Sequence, residues 1–167
     1  SIEVVSRFRT QSRRIDWRHS QARGSEPDSR FWTAATELMP VDGIVRDTAR
    51  QATRGLRSDV DKTRALFDWI VANTYREPKV PGCGVGDIKA MLETGNLGGK
   101  CGDINALFVG LNRAVGIPAR DVYGIRVAPS AFGYKELGAG PTITRAQHCR
   151  AEVFLRDYGW VAMDPAD

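Results

Sequence analysis

Histidine, cysteine and long apolar runs are what this 167-residue chain has least of, and each shortage narrows what it can be. No stretch reaches the roughly 18 apolar residues of a membrane-crossing helix, which excludes a helical span within this sequence. Its three cysteines are too few for a disulfide scaffold and include no Cys-x-x-Cys pair. The 17 Gly and 8 Pro follow no fixed period, and neither repeats nor low-complexity tracts occur, so collagen-like and disordered classes drop out. Charge of one sign is also scarce: the net +4 arises within residues 1–57, where 11 Arg face 7 acids, while the remainder balances at 13 and 13. Those basic residues are scattered among few aromatics (Phe8, Trp17), so the expectation is a solvated Arg-rich surface and no nucleic-acid partner.

What remains is a chain with 42% hydrophobic residues, long enough to bury roughly 70% of its unfolded surface in one compact domain. It opens on Ser with no apolar leader, as a processed or excised polypeptide would. Residues Ile2–Trp17 alternate imperfectly between apolar and polar and are expected to form an edge strand or hairpin. His19–Arg30, with Gly24, Ser25 and Pro27, reads as a linker. Residues 1–40 are therefore taken as an N-terminal strand and linker left over from an upstream domain, and 41–167 as the main domain.

In that main domain a helix is expected after Asp42, and a second one capped by Ser58 or Asp59. A turn-rich stretch containing Cys83 follows, then a short helix from Asp87 to Thr94 ended by Gly95. After Gly98-Gly99-Lys100-Cys101, the residues Ile104, Leu107, Phe108, Leu111 and Val115 recur at helical spacing, so a strong amphipathic helix begins at Cys101. A strand (Arg120–Val127), a long loop (Ala128–Gln147) and a final hairpin (His148–Arg156, Trp160–Asp164) complete the chain. Helices first and strands last point to an α+β fold with an antiparallel sheet.

The odd cysteine count leaves at least one thiol unpaired, and Cys101 is placed to use it. Unpaired N–H groups and the positive end of the helix dipole stabilise a thiolate at a helix start, and Lys100 adds a nearby cation. The alternative for Cys101 is a buried structural thiol. A nucleophilic thiol needs a base, and of the two histidines His19 falls in the polar linker. His148 heads a strand on which Arg150, Glu152 and Phe154 share its face, while Cys149, Ala151, Val153 and Leu155 take the apolar one. If the following loop has an odd number of residues, Asp164 falls on the face of His148, opposite or diagonal to it, where it can orient the imidazole. A two-residue turn would separate them, and Asp164 would be a plain turn residue before Pro165.

The blocks GGKCGDINALFVGLNRAVGIPAR, HCRAEVFL and YGWVAMDP resemble the transglutaminase-like superfamily of papain-related cysteine enzymes, in particular its bacterial members, over about residues 60–166. The resemblance implies a papain-like core and a Cys-His-Asp triad carried onto Cys101, His148 and Asp164. It implies thioester chemistry on amide bonds of peptide or protein substrates, with no cofactor or metal required. Hydrolysis is expected in preference to cross-linking through a lysine amine, and a non-catalytic peptide-binding module on the same fold is the alternative of another class. The family's oxyanion hole implies the backbone N–H of Cys101 plus an upstream donor, for which Asn96 and Tyr75 are the candidates. This chain departs from the family in placing Cys149 and Arg150 after the histidine, and in stopping three residues after Asp164, so truncation is expected.

An exported or periplasmic location is expected rather than a cytoplasmic one. Since pairing Cys101 would remove the nucleophile, Cys83 and Cys149 are the disulfide candidates. A zinc site from Cys83, Cys101, His148 and Cys149 is disfavoured by the spacing, and because neighbours on a strand point to opposite faces. The Gly-rich run is no phosphate loop, since Thr94 stands at its first glycine position and Cys101 replaces the Ser/Thr that binds Mg²⁺.

Overall fold

The computed structural model describes residues 2–5, 7, 9, 15–20, 26–125 and 147–166. Five helices precede a sheet: α1 (Ser29–Trp32), α2 (Gly43–Ala52), α3 (Asp59–Asn73), α4 (Ile88–Thr94) and α5 (Cys101–Ala114). Two-residue strands β1 (Tyr75–Arg76) and β2 (Gly98–Gly99) pair in parallel, and β3 (Ala119–Ile125), β4 (Gln147–Leu155) and β5 (Gly159–Met163) form an antiparallel sheet in that order. The α+β class expected from the sequence is the class observed.

The helix boundaries follow local chemistry. Ser58 Oγ accepts the N–H of Asp61 at 3.0 Å and starts α3, and Asp87 Oδ1 accepts that of Ala90 at 3.0 Å and starts α4. Gly95 ends α4 with φ +69°, a left-handed conformation that costs glycine no Cβ clash.

Helix α5 is the central element. Every residue from Cys101 to Asn112 is buried, with α2 and α3 on one side and β3 and β4 on the other. Leu107, Phe108 and Leu111 are fully enclosed, each contributing about 1.5–3 kcal/mol of hydrophobic stabilisation. Phe67 of α3 meets Phe108 edge-on at 5.9 Å, and Thr63 donates to buried Asn112 at 2.9 Å. On β4 the alternation is complete: Cys149, Ala151, Val153 and Leu155 are buried against α5, and His148, Arg150, Glu152 and Phe154 face outward. The outer face is closed by Arg120, which holds Glu152 through Nε and Nη2 at 3.0 and 2.7 Å and stacks on Trp160 at 4.1 Å.

Of the segment Ile2–Trp17, where an edge strand is expected, the described residues lie in no strand, and residues 6, 8 and 10–14 lie outside the description. At its end, side chains make the contacts. Trp17 packs on Tyr158 at 4.9 Å, and the Tyr158 hydroxyl donates to the Trp17 carbonyl at 2.9 Å. The short helix α1 begins in the last two residues of the expected linker, Ser29 and Arg30. The long loop and the end of its preceding strand, residues 126–146, lie outside the described residues.

Candidate active site

Cys101 is the first residue of α5, after an extended Lys100. Asp103 fixes this turn: Oδ2 accepts the Lys100 N–H at 2.9 Å, half of a capping box, and Oδ1 accepts the N–H groups of Val85 and Gly86 at 2.8 Å each. The same carboxylate therefore clamps the turn-rich loop onto the helix start. The Cys83 carbonyl accepts the N–H of Gly102 at 2.7 Å, and a Cβ on Gly102 would sit 2.5 Å from that oxygen. Gly84 has φ +96° and lies so near Asp103 that any Cβ there would meet its carboxylate. Close backbone approach thus brings the Cys83 side chain to Cys101.

On the opposite side stands Cys149, which is fully buried, with its sulfur 3.6 Å from that of Cys101. The sulfurs of Cys83, Cys101 and Cys149 all lie within 4.8 Å of one another. This corrects the expectation that Cys149 points away from the site. The helix carrying Cys101 packs on the apolar face of β4, so Cys149 reaches the Cys101 sulfur from that face, while His148 acts on it from the head of the strand. All three cysteines are free in this structure, so the Cys83–Cys149 bridge is not formed in it, although the two sulfurs lie within 4.8 Å of each other and Cys149 is in direct contact with Cys101. The premise that sequence spacing keeps these ligands apart also falls, since three separate segments bring them together.

The β4–β5 loop has three residues, Arg156–Tyr158, and the register pairs Ala151 with Met163 and Leu155 with Gly159. One step past Met163, Asp164 comes to the side of His148, and its Oδ2 is hydrogen-bonded to His148 Nε2. A two-residue turn would have parted them. Asp164 is itself held: Oδ1 accepts from Asn105 Nδ2 at 3.2 Å and from the Ala166 N–H at 3.3 Å. Asn105, fully buried one turn along α5 from Cys101, also donates to the Cys149 carbonyl at 3.0 Å. Asn105 and Asp103 are not among the site residues that the sequence points to, and Cys149 is considered there only as a disfavoured zinc ligand and a disulfide candidate. The i+4 spacing of Asn105 from Cys101 was the available signal for the first.

The electrostatics follow from these contacts. The Cys149 thiol, donating to Cys101, is the strongest influence holding Cys101 down, and His148 helps. Together they outweigh burial and take the Cys101 pKa to about 3. His148 is raised to about 9, first by its hydrogen bond to Asp164 and then by Cys101. Cys149 is pushed far up by donating to Cys101 and by burial, and Cys83 upward by burial. Near neutral pH the site is therefore a Cys101 thiolate beside a His148 imidazolium, with the two other thiols protonated. Nδ1 of His148 is buried and has no hydrogen-bond partner among the described residues. The charge of Lys100 acts on Cys83.

A cavity of about 480 Å³ opens on the outer face of the sheet, walled by Val122, Ile125, His148, Arg150, Ala162 and Asp164 among others. Of the oxyanion candidates, the Tyr75 hydroxyl donates to Asn96 Oδ1 at 3.1 Å, so the two bind each other.

A cysteine at the start of a buried central helix, packed on an antiparallel sheet that carries a hydrogen-bonded His-Asp pair, defines a papain-like α+β domain. The chain belongs to the transglutaminase-like superfamily, whose match spans residues 46–165. An uncharacterized protein of Haemophilus influenzae is 38% identical over 149 residues, 84% of this chain, and this chain spans about 40% of that protein's length. Among solved structures, "a putative cysteine protease" from Cytophaga hutchinsonii aligns over 85% of this chain and 43% of its own, with a TM-score of 0.65 and 19% identity. The periplasmic domain of TgpA from Pseudomonas aeruginosa aligns over 84% of this chain and 48% of its own, with a TM-score of 0.61 and 19% identity. These two structures share the fold. Among the described residues, no helix is long and apolar enough to cross a membrane.

Proposed function

We propose that this chain is a cysteine-dependent amide-bond hydrolase acting on peptides or proteins, with Cys101 as nucleophile, His148 as acid and base, and Asp164 as its orienting partner. The observation that carries this reading is the joining of a helix-start thiolate to an imidazolium whose far nitrogen is held by a carboxylate. The Cys101 thiolate attacks the amide carbonyl carbon, and the backbone N–H groups at the start of α5 are the donors nearest the developing oxyanion. The C–N bond breaks as His148 gives its proton to the leaving amine, which leaves a Cys101 thioester. His148, now neutral, takes a proton from water, whose oxygen attacks the thioester, and Cys101 leaves as thiolate. Water is the acceptor that requires no additional binding site. Transfer to a lysine amine, giving a protein cross-link, is the same chemistry with another acceptor, and peptide binding without turnover is the alternative of another class.

Residues 41–167 form the catalytic domain in this reading, residues 1–40 are an appended segment, and the setting is exported or periplasmic. Likeness in fold to a periplasmic domain supports that placement. The test compares wild type with Cys101→Ala on peptide substrates and on a glutamine-containing protein supplied with a labelled amine. Cleavage or ammonia release lost in the variant is the expected result. Equal turnover in the variant would overturn the assignment, and amine incorporation would replace hydrolysis by transfer.

A further inference from the structure

Triad chemistry uses one sulfur, yet three meet here. Cys83 comes from the loop clamped by Asp103, Cys101 from the start of α5 and Cys149 from the inner face of β4, and all three sulfurs lie within 4.8 Å of one another. The geometry points to a three-thiolate site for a thiophilic divalent ion, Zn²⁺, whose binding to Cys83, Cys101 and Cys149 takes the nucleophile out of reaction. The inhibitory consequence rests on the reading of Cys101 as nucleophile; the binding does not.

Zinc–thiolate bonds are about 2.3 Å, so two sulfurs on one tetrahedral ion lie roughly 3.8 Å apart. The Cys101–Cys149 pair is already at 3.6 Å, and the widest separation in the cluster exceeds the ideal by about 1 Å, within reach of side-chain rotation. The backbone behind each ligand is fixed: the Cys83 carbonyl is bonded to Gly102 N–H, and the Cys149 carbonyl to Asn105. Such support keeps a ligand set in place between empty and loaded states. Cys83 is half-buried while the other two are buried, which makes it the entry point. Three sulfur donors select a soft or borderline ion and reject Ca²⁺ and Mg²⁺, which take oxygen ligands.

Three thiolates on one Zn²⁺ give a complex of charge −1, and the thiol protons that the metal displaces pass to solvent. The fourth position is left to water.

The experiment uses the full chain, reduced and stripped of metal, with three titratable thiols verified in denaturant. Co²⁺ and Zn²⁺ are then added separately. The expected results are one ion per chain, a thiolate-to-cobalt charge-transfer band displaced by Zn²⁺, and protection of Cys101 from alkylation that a chelator reverses. Cys83→Ser, at the one half-buried position of the three, should bind zinc about 100-fold more weakly. Cys149→Ser should do the same if it folds. Absence of the charge-transfer band, or zinc affinity unchanged in Cys83→Ser, would overturn the proposal. Neither readout depends on turnover, so the site can fail while the catalytic reading stands, and Cys101→Ala can retain turnover while the site stands.

Discussion

Replacing Asp164 by Asn removes the charge that holds His148 protonated while preserving shape. The hydrogen bond to Asp164 is the largest of the influences that raise His148 to about 9, and Cys101 supplies the next. A hydrogen bond to a charged group is worth about 1.5–3 kcal/mol, and at about 1.4 kcal/mol per pKa unit its loss lowers His148 by about 1–2 units. The residual influence of Cys101 keeps the new midpoint above the ordinary histidine value, near 7–8 by the same arithmetic. The chain has only two histidines, so ring-nitrogen NMR across pH follows His148 directly, with His19→Asn identifying the other signal.

Stability must move with it. Because the folded pKa of His148 lies above the unfolded value, the pair stabilises the fold fully below about pH 6.5, and this contribution disappears as pH rises through about 9. Asp164→Asn should therefore cost about 1–3 kcal/mol in urea unfolding at pH 6 and little above pH 10. A His148 midpoint unmoved by the substitution, or a stability loss equal at both pH values, would refute the assignment of Asp164 as the group that charges His148.

Cys101 should react with a small aromatic disulfide at a rate nearly independent of pH between about 4 and 8, because it is ionised throughout, whereas an ordinary thiol gains tenfold per unit; mass spectrometry locates the label. Absolute rate is the weaker criterion, since a thiolate of low pKa is also a poorer nucleophile. Asn105→Ala should cost about 1–3 kcal/mol by urea unfolding and lower His148 reactivity-linked turnover, because it releases both Asp164 and the Cys149 carbonyl. Gly102→Ala forces a Cβ to within 2.5 Å of the Cys83 carbonyl, so the loop must shift; the expected results are a loss of about 1–3 kcal/mol and faster labelling of Cys83.

Much of the scaffold was legible because it obeys local rules. Apolar spacing after Cys101 is that of a buried helix, Ser58 and Asp87 cap where capping residues should, and the two faces of β4 separate by strict alternation. The two-residue strands β1 and β2 were not legible, since they lack the length for any period to appear. Among the described residues of the N-terminal segment, which has an alternating pattern, the contacts are made through Trp17, and pattern alone does not reveal them.

The site divides along the same line. By itself the sequence determined which residue types could carry the chemistry: a thiol where a helix begins, one histidine at the head of a strand, and an aspartate whose face depends on loop parity. Tertiary structure decided everything that depends on which face meets which. The helix carrying Cys101 packs on the apolar face of β4, so Cys149 touches Cys101 in addition to the influence of His148, and a clamped loop adds Cys83. Side-chain alternation is set by one strand's covalent geometry and can be read along the chain, whereas the partner of each face is set by how the core closes, through contacts 48 residues apart in the case of Cys101 and Cys149.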